Sequence, residues 1–215
     1  MKRNESIFVD RIGSHCRGKD VLEIGCGDGT RFAAAIRLSK SWKGVDLDAT
    51  AVRQANEANL LPNAEFFELN AENLSWPDSS FDVVVFTLSL HHIDFSAMSK
   101  AVDEAVRVVR PTGSILFLEP LPVGTFYDAE MRFGCCDGDE RRELAYAFYT
   151  MLSNERLRET EELVAPVSYE YESFEDFKEH VPTKDATHQK LDEYLSVRGY
   201  TLHEDWRLNV FRVAD

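Results

Sequence analysis

A chain of 215 residues, 44% hydrophobic and 29% charged, has apolar material for one core-forming domain and reads as a single unit over residues 1–215. Its formal net charge of -14 at pH 7 argues against phosphate backbones and anionic membranes as principal partners; no apolar run approaches the roughly 20 residues that cross a bilayer, and the basic start lacks the apolar stretch of a secretory leader. Four cysteines without a CxxC make neither a disulfide framework nor a metal set, so a reducing, cytoplasmic setting is expected and a metal is not.

Strand and helix signals alternate from Asp20 onward. Val21-Leu22-Glu23-Ile24 is a short apolar strand that runs directly into Gly25-Cys26-Gly27-Asp28-Gly29. Thr30 to Leu38 then carries Phe32, Ala33, Ala35, Ile36 and Leu38 in a helical pattern. Trp42 to Val45 predicts a second strand, ended by Asp46; Ala49 to Ala58 is helical in composition, and Ala64 to Leu69 supplies a third strand before Asn70. Phe81 to Thr87 is apolar except for Asp82, which suits a strand covered on both faces. Phe95 to Val109 reads as an amphipathic helix stopped by Pro111 and Gly113, and Ser114 to Leu118 as a fifth strand ending at Glu119-Pro120. This order predicts parallel βαβ units with right-handed crossovers.

Between Leu121 and Thr187 the rhythm breaks. Arg141 to Leu152 and Asn154 to Val164 read as helices, and Ser173 as the cap of another with an acidic first turn. The segment is rich in aromatic residues, and from Glu119 to Glu179 sixteen acidic residues stand against six basic ones. A helical cover over the sheet ends is expected, lining the substrate site. Ala186 to Val197 predicts a further helix. Tyr200 to Trp206 and Leu208 to Val213 predict two closing strands that pair antiparallel, because no crossover separates them.

The glycine turn lets a ligand approach the backbone closely, and amides at the start of the following helix point where an anionic group would lie. Asp46, ending the next strand, can accept both hydroxyls of a ribose. Thr30 stands where the dinucleotide fingerprint needs its third glycine, and no GK[ST] follows, which argues against a pyrophosphate cofactor and excludes a P-loop.

These stretches resemble the class I S-adenosylmethionine-dependent methyltransferases, in particular small-molecule methyltransferases of the type 11 domain. VLEIGCGDG is similar to their first motif, GVDLD to their acidic second-strand motif, NAENLSWPDSSFDVVVFTLSLHH to the adenine segment and fourth strand, and RVVRPTGSILFLEP to the fifth-strand approach, with Pro-Thr-Gly in place of Pro-Gly-Gly. The resemblance implies an α/β, Rossmann-like fold: a seven-stranded, mostly parallel sheet with the last strand antiparallel, helices on both faces and a helical insertion after the fifth strand. It implies S-adenosylmethionine as cofactor. Its amino-acid end would lie on the backbone of Gly25, Cys26 and Gly27, in a turn completed by Gly29 and bound or oriented by Glu23. Asp46 would take the ribose and Leu47 would lie against adenine. Asn70, where relatives often have Asp, would contact the adenine amine with an amide from Ala71, and Leu88 would stand near the sulfonium. Asp48 reads as a helix cap.

For the chemistry, His91 and His92 follow the fourth strand at the ligand-binding edge, and Glu119 ends the fifth; each is a candidate to contact or deprotonate an acceptor. The expected acceptor is a small or medium organic molecule, neutral or cationic, methylated on O, N or C. A protein acceptor, or a cofactor-binding partner protein without turnover, are the alternatives. Acceptor identity and oligomeric state are not encoded in these motifs.

Overall fold

The structure, a computed structural model, describes residues 1–58 and 61–214. Its core is an eight-stranded sheet built from β1 (Lys2–Asn4), β2 (Asp20–Ile24), β3 (Ser41–Asp46), β4 (Ala64–Glu68), β5 (Phe81–Thr87), β6 (Val109–Gly124), β7 (Leu157–Glu170) and β8 (Thr201–Val213), in the order β1-β7-β8-β6-β5-β2-β3-β4. β4, β3, β2, β5 and β6 are mutually parallel. β8 runs antiparallel to β6, and β7 antiparallel to β8. This is the Rossmann-like arrangement the motifs implied, with the last strand inserted antiparallel.

Helices α1 (Ser6–Cys16), α2 (Ala33–Leu38), α3 (Ala49–Ala58), α4 (Phe95–Val108), α5 (Thr125–Phe133), α6 (Arg141–Ser153), α7 (Phe174–His180) and α8 (His188–Ser196) flank the sheet. Side chains alternate across a strand, and the two cores follow that alternation. Val21, Val83, Val85, Leu116 and Leu118 pack with α1, α2 and α8, whereas Leu22, Ile24, Val84, Phe86, Ile115 and Phe117 pack with α4 and α6. Among the described residues, no helix is long and apolar enough to cross a membrane.

The structure corrects three expectations. Asn154 to Val164 is not helical: Leu157–Glu170 is a single strand paired with β8 along its whole length. Its glutamates favour a helix by propensity, but Ala165, Val167 and Tyr169 alternate inward with exposed neighbours, and β8 supplies the ladder. The expected helical insertion therefore contains a strand of the central sheet. Second, the two closing strands are one, Thr201–Val213, whose antiparallel partner is β7. Arg207, which reads as a break, lies with its guanidinium 3.4 Å from the Phe148 ring centroid, so its charge stays accommodated beside the sheet. Third, the sheet has eight strands rather than seven. Three polar residues, Lys2–Asn4, pair with Ser168–Glu170 at the edge and carry no hydrophobic pattern to announce them. Before Asp20 the sequence signalled no element, yet Phe8, Ile12 and Cys16 recur every fourth position on α1 and are fully buried.

The chain steps outward from β2 to β3 and β4, then returns across β2 to β5. That reversal opens a crevice at the carboxyl ends of β2 and β5, where open α/β sheets place ligands.

Candidate functional site

At that crevice the glycine turn is locked by the strand beside it. The Gly25 and Cys26 amides donate to the Val45 carbonyl at 2.8 and 3.1 Å, and the Gly27 amide donates to Asp46 Oδ2 at 2.8 Å. Gly25 has φ +78, and a Cβ there would lie 2.2 Å from that of Ser89; only glycine lets β5 and the turn meet so closely. Glu23, buried beneath, accepts from Trp42 Nε1 and Thr87 Oγ1, each at 2.9 Å. It therefore orients the turn indirectly, since the Thr87 hydroxyl also lies 3.3 Å from the Gly25 carbonyl. Burial pushes the Glu23 carboxyl up to about 7, against the two hydrogen bonds that favour its charge.

A cavity of about 560 Å³ opens above the turn. Glu23, Gly25, Cys26, Gly27, Asp46, Leu47, Asn70, Ala71, Leu88 and His92 all line it, so residues spread over seventy positions converge on one cavity. Gly29 does not join them: at φ +70 it turns the chain beside Phe66, whose ring would meet an added Cβ at 2.6 Å, in a separate recess.

Local hydrogen bonding refines the expected roles. The Asp46 carboxylate accepts from Gly27 and, at 2.9 Å, from the Asp48 amide, leaving each oxygen one further lone pair toward the cavity. Asp48 caps α3, accepting from the Thr50 and Ala51 amides at 2.8 and 3.2 Å. Leu47 is 68% exposed, an apolar plate at the cavity wall. The Asn70 carbonyl accepts from the Glu72 amide at 3.0 Å while its NH2 donates to the Glu72 carboxylate, so its acceptor is already part of a turn. Leu88 adopts φ +56, a left-handed conformation costly for a branched side chain; its amide donates to the Leu118 carbonyl at 2.8 Å.

The amides of Gly25, Cys26 and Gly27 are thus consumed within the protein, and the expected amide cradle for an anion is not free. Arg31 is the one arginine or lysine lining the cavity among the described residues. It was missed in the sequence; the only signal was a basic residue two positions after the last glycine of the turn.

A second cavity, of about 260 Å³, adjoins the first, and Arg31, Leu88 and His92 line both. Most of its wall comes from the segment between Leu121 and Thr187, with Trp206 and Glu204 from β8. The hydroxyls of Tyr127 and Tyr171 line it buried without a partner. Burial, and then the charge of Glu204, push Glu130 in this wall to about 8.

His91 and His92 sit on the short 3-10 turn Leu90–His92, their rings tilted 45° to one another with centroids 4.0 Å apart. His91 is buried and its Nδ1 pairs with Glu119, whose other oxygen accepts from the Leu90 amide at 2.9 Å. Burial opposes the His91 cation, but Glu119, by charge and hydrogen bond, and then Glu140 outweigh it and raise the imidazole above its usual range. His92, half exposed, is held below that range by desolvation and then by His91. Glu119 stands behind His91 as its orienting partner. Glu140, at the start of α6, reaches both histidines, 3.8 Å from His91 Nε2 and 3.4 Å from His92 Nδ1; burial raises its carboxyl. Nothing in the local sequence linked Glu140 to a histidine pair 48 positions earlier.

Residues 22–117 match the methyltransferase domain family. Over 124 residues the chain is 35% identical to phthiotriol/phenolphthiotriol dimycocerosates methyltransferase 1 of Mycobacterium ulcerans, covering 56% of this chain and 45% of that one. It is 32% identical over 118 residues to a probable S-adenosylmethionine-dependent methyltransferase of Mycobacterium tuberculosis, covering 55% and 42%. The match thus spans less than half of either curated relative. A solved structure described as a putative methyltransferase from Bacillus halodurans superposes with a TM-score of 0.68 at 18% identity, over 97% of this chain and 98% of that one, a likeness of fold.

Proposed function

We propose that the chain is a class I S-adenosylmethionine-dependent methyltransferase, a reading supported by the match over residues 22–117 and by the mycobacterial relatives, and that it transfers the methyl group of S-adenosylmethionine to a small organic acceptor held in the second cavity. The observation that carries this reading is the junction of the two cavities. The one lined by the glycine turn and Asp46 meets the one beneath the Leu121–Thr187 segment at Leu88, His92 and Arg31.

In this reading Asp46 accepts the ribose hydroxyls with its remaining lone pairs, and adenine lies on Leu47 beside Asn70 and Ala71. With the turn's amides consumed, its carbonyls suit the cofactor's ammonium, and Arg31 meets the carboxylate. Leu88, strained at the end of β5, holds the sulfonium at the mouth of the acceptor cavity. When bound there, S-adenosylmethionine would supply an activated methyl group, its carbon–sulfur bond breaking toward sulfur as the bond to the acceptor forms. Confinement supplies alignment for this in-line displacement. The cavity's volume of about 260 Å³ favours a small molecule over a protein side chain on its backbone. Its unpartnered tyrosine hydroxyls favour an acceptor with polar groups. The acidic wall and the net charge of -14 disfavour polyanions.

Calorimetry with S-adenosylhomocysteine, followed by label transfer from S-adenosylmethionine to panels of small hydroxyl, thiol and amine compounds and to a basic-protein mixture, tests the reading. Binding with transfer to a small compound is expected. Binding without transfer to any panel would favour a cofactor-binding partner protein, and transfer confined to the protein mixture would replace the small-molecule acceptor.

A further inference from the structure

The cluster formed by His91, His92 and Glu140 does more than line a cavity. One nitrogen from each ring and one carboxylate oxygen lie within 4.8 Å of one another. A tetrahedral ion with bonds of about 2.0–2.1 Å holds its ligand atoms roughly 3.3 Å apart. His92 Nδ1 lies 3.4 Å from Glu140 Oε1, already at that spacing, and His91 Nε2 lies 3.8 Å from the other oxygen, Oε2.

The arrangement behind the cluster has the same logic. His91 Nδ1 is engaged by Glu119, and Glu119 is itself held by the Leu90 amide. This leaves Nε2, the atom facing Glu140, as the free ring nitrogen. A carboxylate on the far nitrogen of a ligating histidine fixes its tautomer and orientation and raises its basicity. Two imidazoles and one carboxylate are a nitrogen-rich set, suited to zinc and its neighbours rather than to magnesium or calcium.

We propose that His91, His92 and Glu140 bind a divalent transition-metal ion of the zinc class, with the remaining coordination position open toward the acceptor cavity. Three protein ligands and one open position are the pattern of catalytic rather than structural zinc. His92 lines both cavities, so the ion would sit beside the methyl donor. The acceptor chemistry that follows is a hydroxyl or thiol able to ligate the ion. Coordination lowers its pKa, its proton leaves to solvent, and the resulting oxygen or sulfur anion attacks the methyl carbon while the carbon–sulfonium bond breaks toward sulfur. This last step rests on the methyl-transfer reading; the metal site itself does not.

The test is binding of Co2+, followed by its visible ligand-field bands, and of Zn2+ by calorimetry, on chelator-stripped protein. One ion per chain is expected. Glu119→Gln, which keeps an acceptor for the Leu90 amide, should weaken the metal by ~10–100-fold, with S-adenosylhomocysteine affinity unchanged. Glu140→Gln and His92→Ala should weaken it further still. Retained S-adenosylhomocysteine binding by Glu140→Gln shows that this variant is folded, and Cys136→Ser should leave metal affinity unchanged. The site is overturned if protein that binds S-adenosylhomocysteine takes up neither ion at millimolar concentration, or if uptake is indifferent to Glu140→Gln and His92→Ala but lost in Cys136→Ser. Metal uptake by protein that fails to bind S-adenosylhomocysteine would instead sink the methyl-transfer reading and leave the metal site standing.

Discussion

Asp46 carries two loads at once. Its carboxylate pins the Gly27 and Asp48 amides while its spare lone pairs face the cavity assigned to the cofactor. Asp46→Ala is expected to weaken S-adenosylhomocysteine binding by about 1.5–3 kcal/mol, the range for hydrogen bonds to a charged group, or roughly 10- to 150-fold. An unchanged dissociation constant by calorimetry in a folded variant would remove Asp46 from the ribose. Arg31→Ala is expected to cost a similar ~1.5–3 kcal/mol through the carboxylate end. Adenosine, which lacks that end, should bind variant and wild type alike; equal losses for both ligands would assign Arg31 to shaping the cavity instead. Glu23 offers a pH signature. Its folded carboxyl lies at about 7, above the ~4.3 of an unfolded chain, and Arg31 and Asp46 act on it in opposite senses. The folded state therefore binds the extra proton between these values, and stability falls as pH rises through that window, levelling off above about 7 at a cost of roughly 4 kcal/mol. Glu23→Gln removes the titration while its amide can still meet Trp42 and Thr87. Denaturant melts should show the variant gaining on the wild type from pH 4.5 to 8, and parallel pH profiles would contradict the assignment.

At the scale of elements, the informative one is β7. It contributes Tyr169 to the second cavity yet pairs with β8 from Leu157 to Glu170, so part of that cavity's wall belongs to the sheet. From the same segment, α5, the turn that follows it, α6 and α7 add lining residues from outside the sheet. Amide hydrogen exchange should separate the two classes. Protection in the centre of β7, around Ala165 to Tyr169, is expected to approach that of β5, because both open only with the sheet. The stretch from Cys136 to Glu140, which has few backbone partners, should exchange far faster. Fast exchange throughout β7 would restore the picture of a detachable cover.

For the molecule as a whole, a ligand seated at the carboxyl ends of β2, β3 and β5 touches three parallel strands and the loops that follow them. Its binding should stabilise the entire cooperative unit. S-adenosylhomocysteine at about 100 times its dissociation constant contributes about 2.7 kcal/mol, which for a chain of this size raises Tm by about 5–10 °C. A scanning melt checks this directly; no shift at millimolar ligand would remove the cofactor assignment. The net charge of -14 belongs to the same scale. It is concentrated toward the Leu121–Thr187 segment, whose residues form most of the wall of the second cavity.

The βα alternation from Asp20 to Glu119, the glycine turn and the acid ending the second strand were legible in the sequence because each is a local matter. A strand buried on both faces needs an apolar run such as Phe81 to Thr87, and a turn at positive φ packed against Ser89 needs Gly25. The cap at Asp48 was legible for the same reason. Tertiary structure alone decided that the Glu-rich stretch from Asn154 to Val164 becomes part of a strand, since a ladder offered by β8, distant in sequence, overrides helical propensity. It also decided that Arg31 opens into both cavities, that the turn's amides are spent on Val45 and Asp46, and that Glu140 meets His91 and His92. Such convergence depends on strand order, register and the packing of α6 on the sheet. These are set by contacts between segments far apart in the chain, so no short window of sequence contains them.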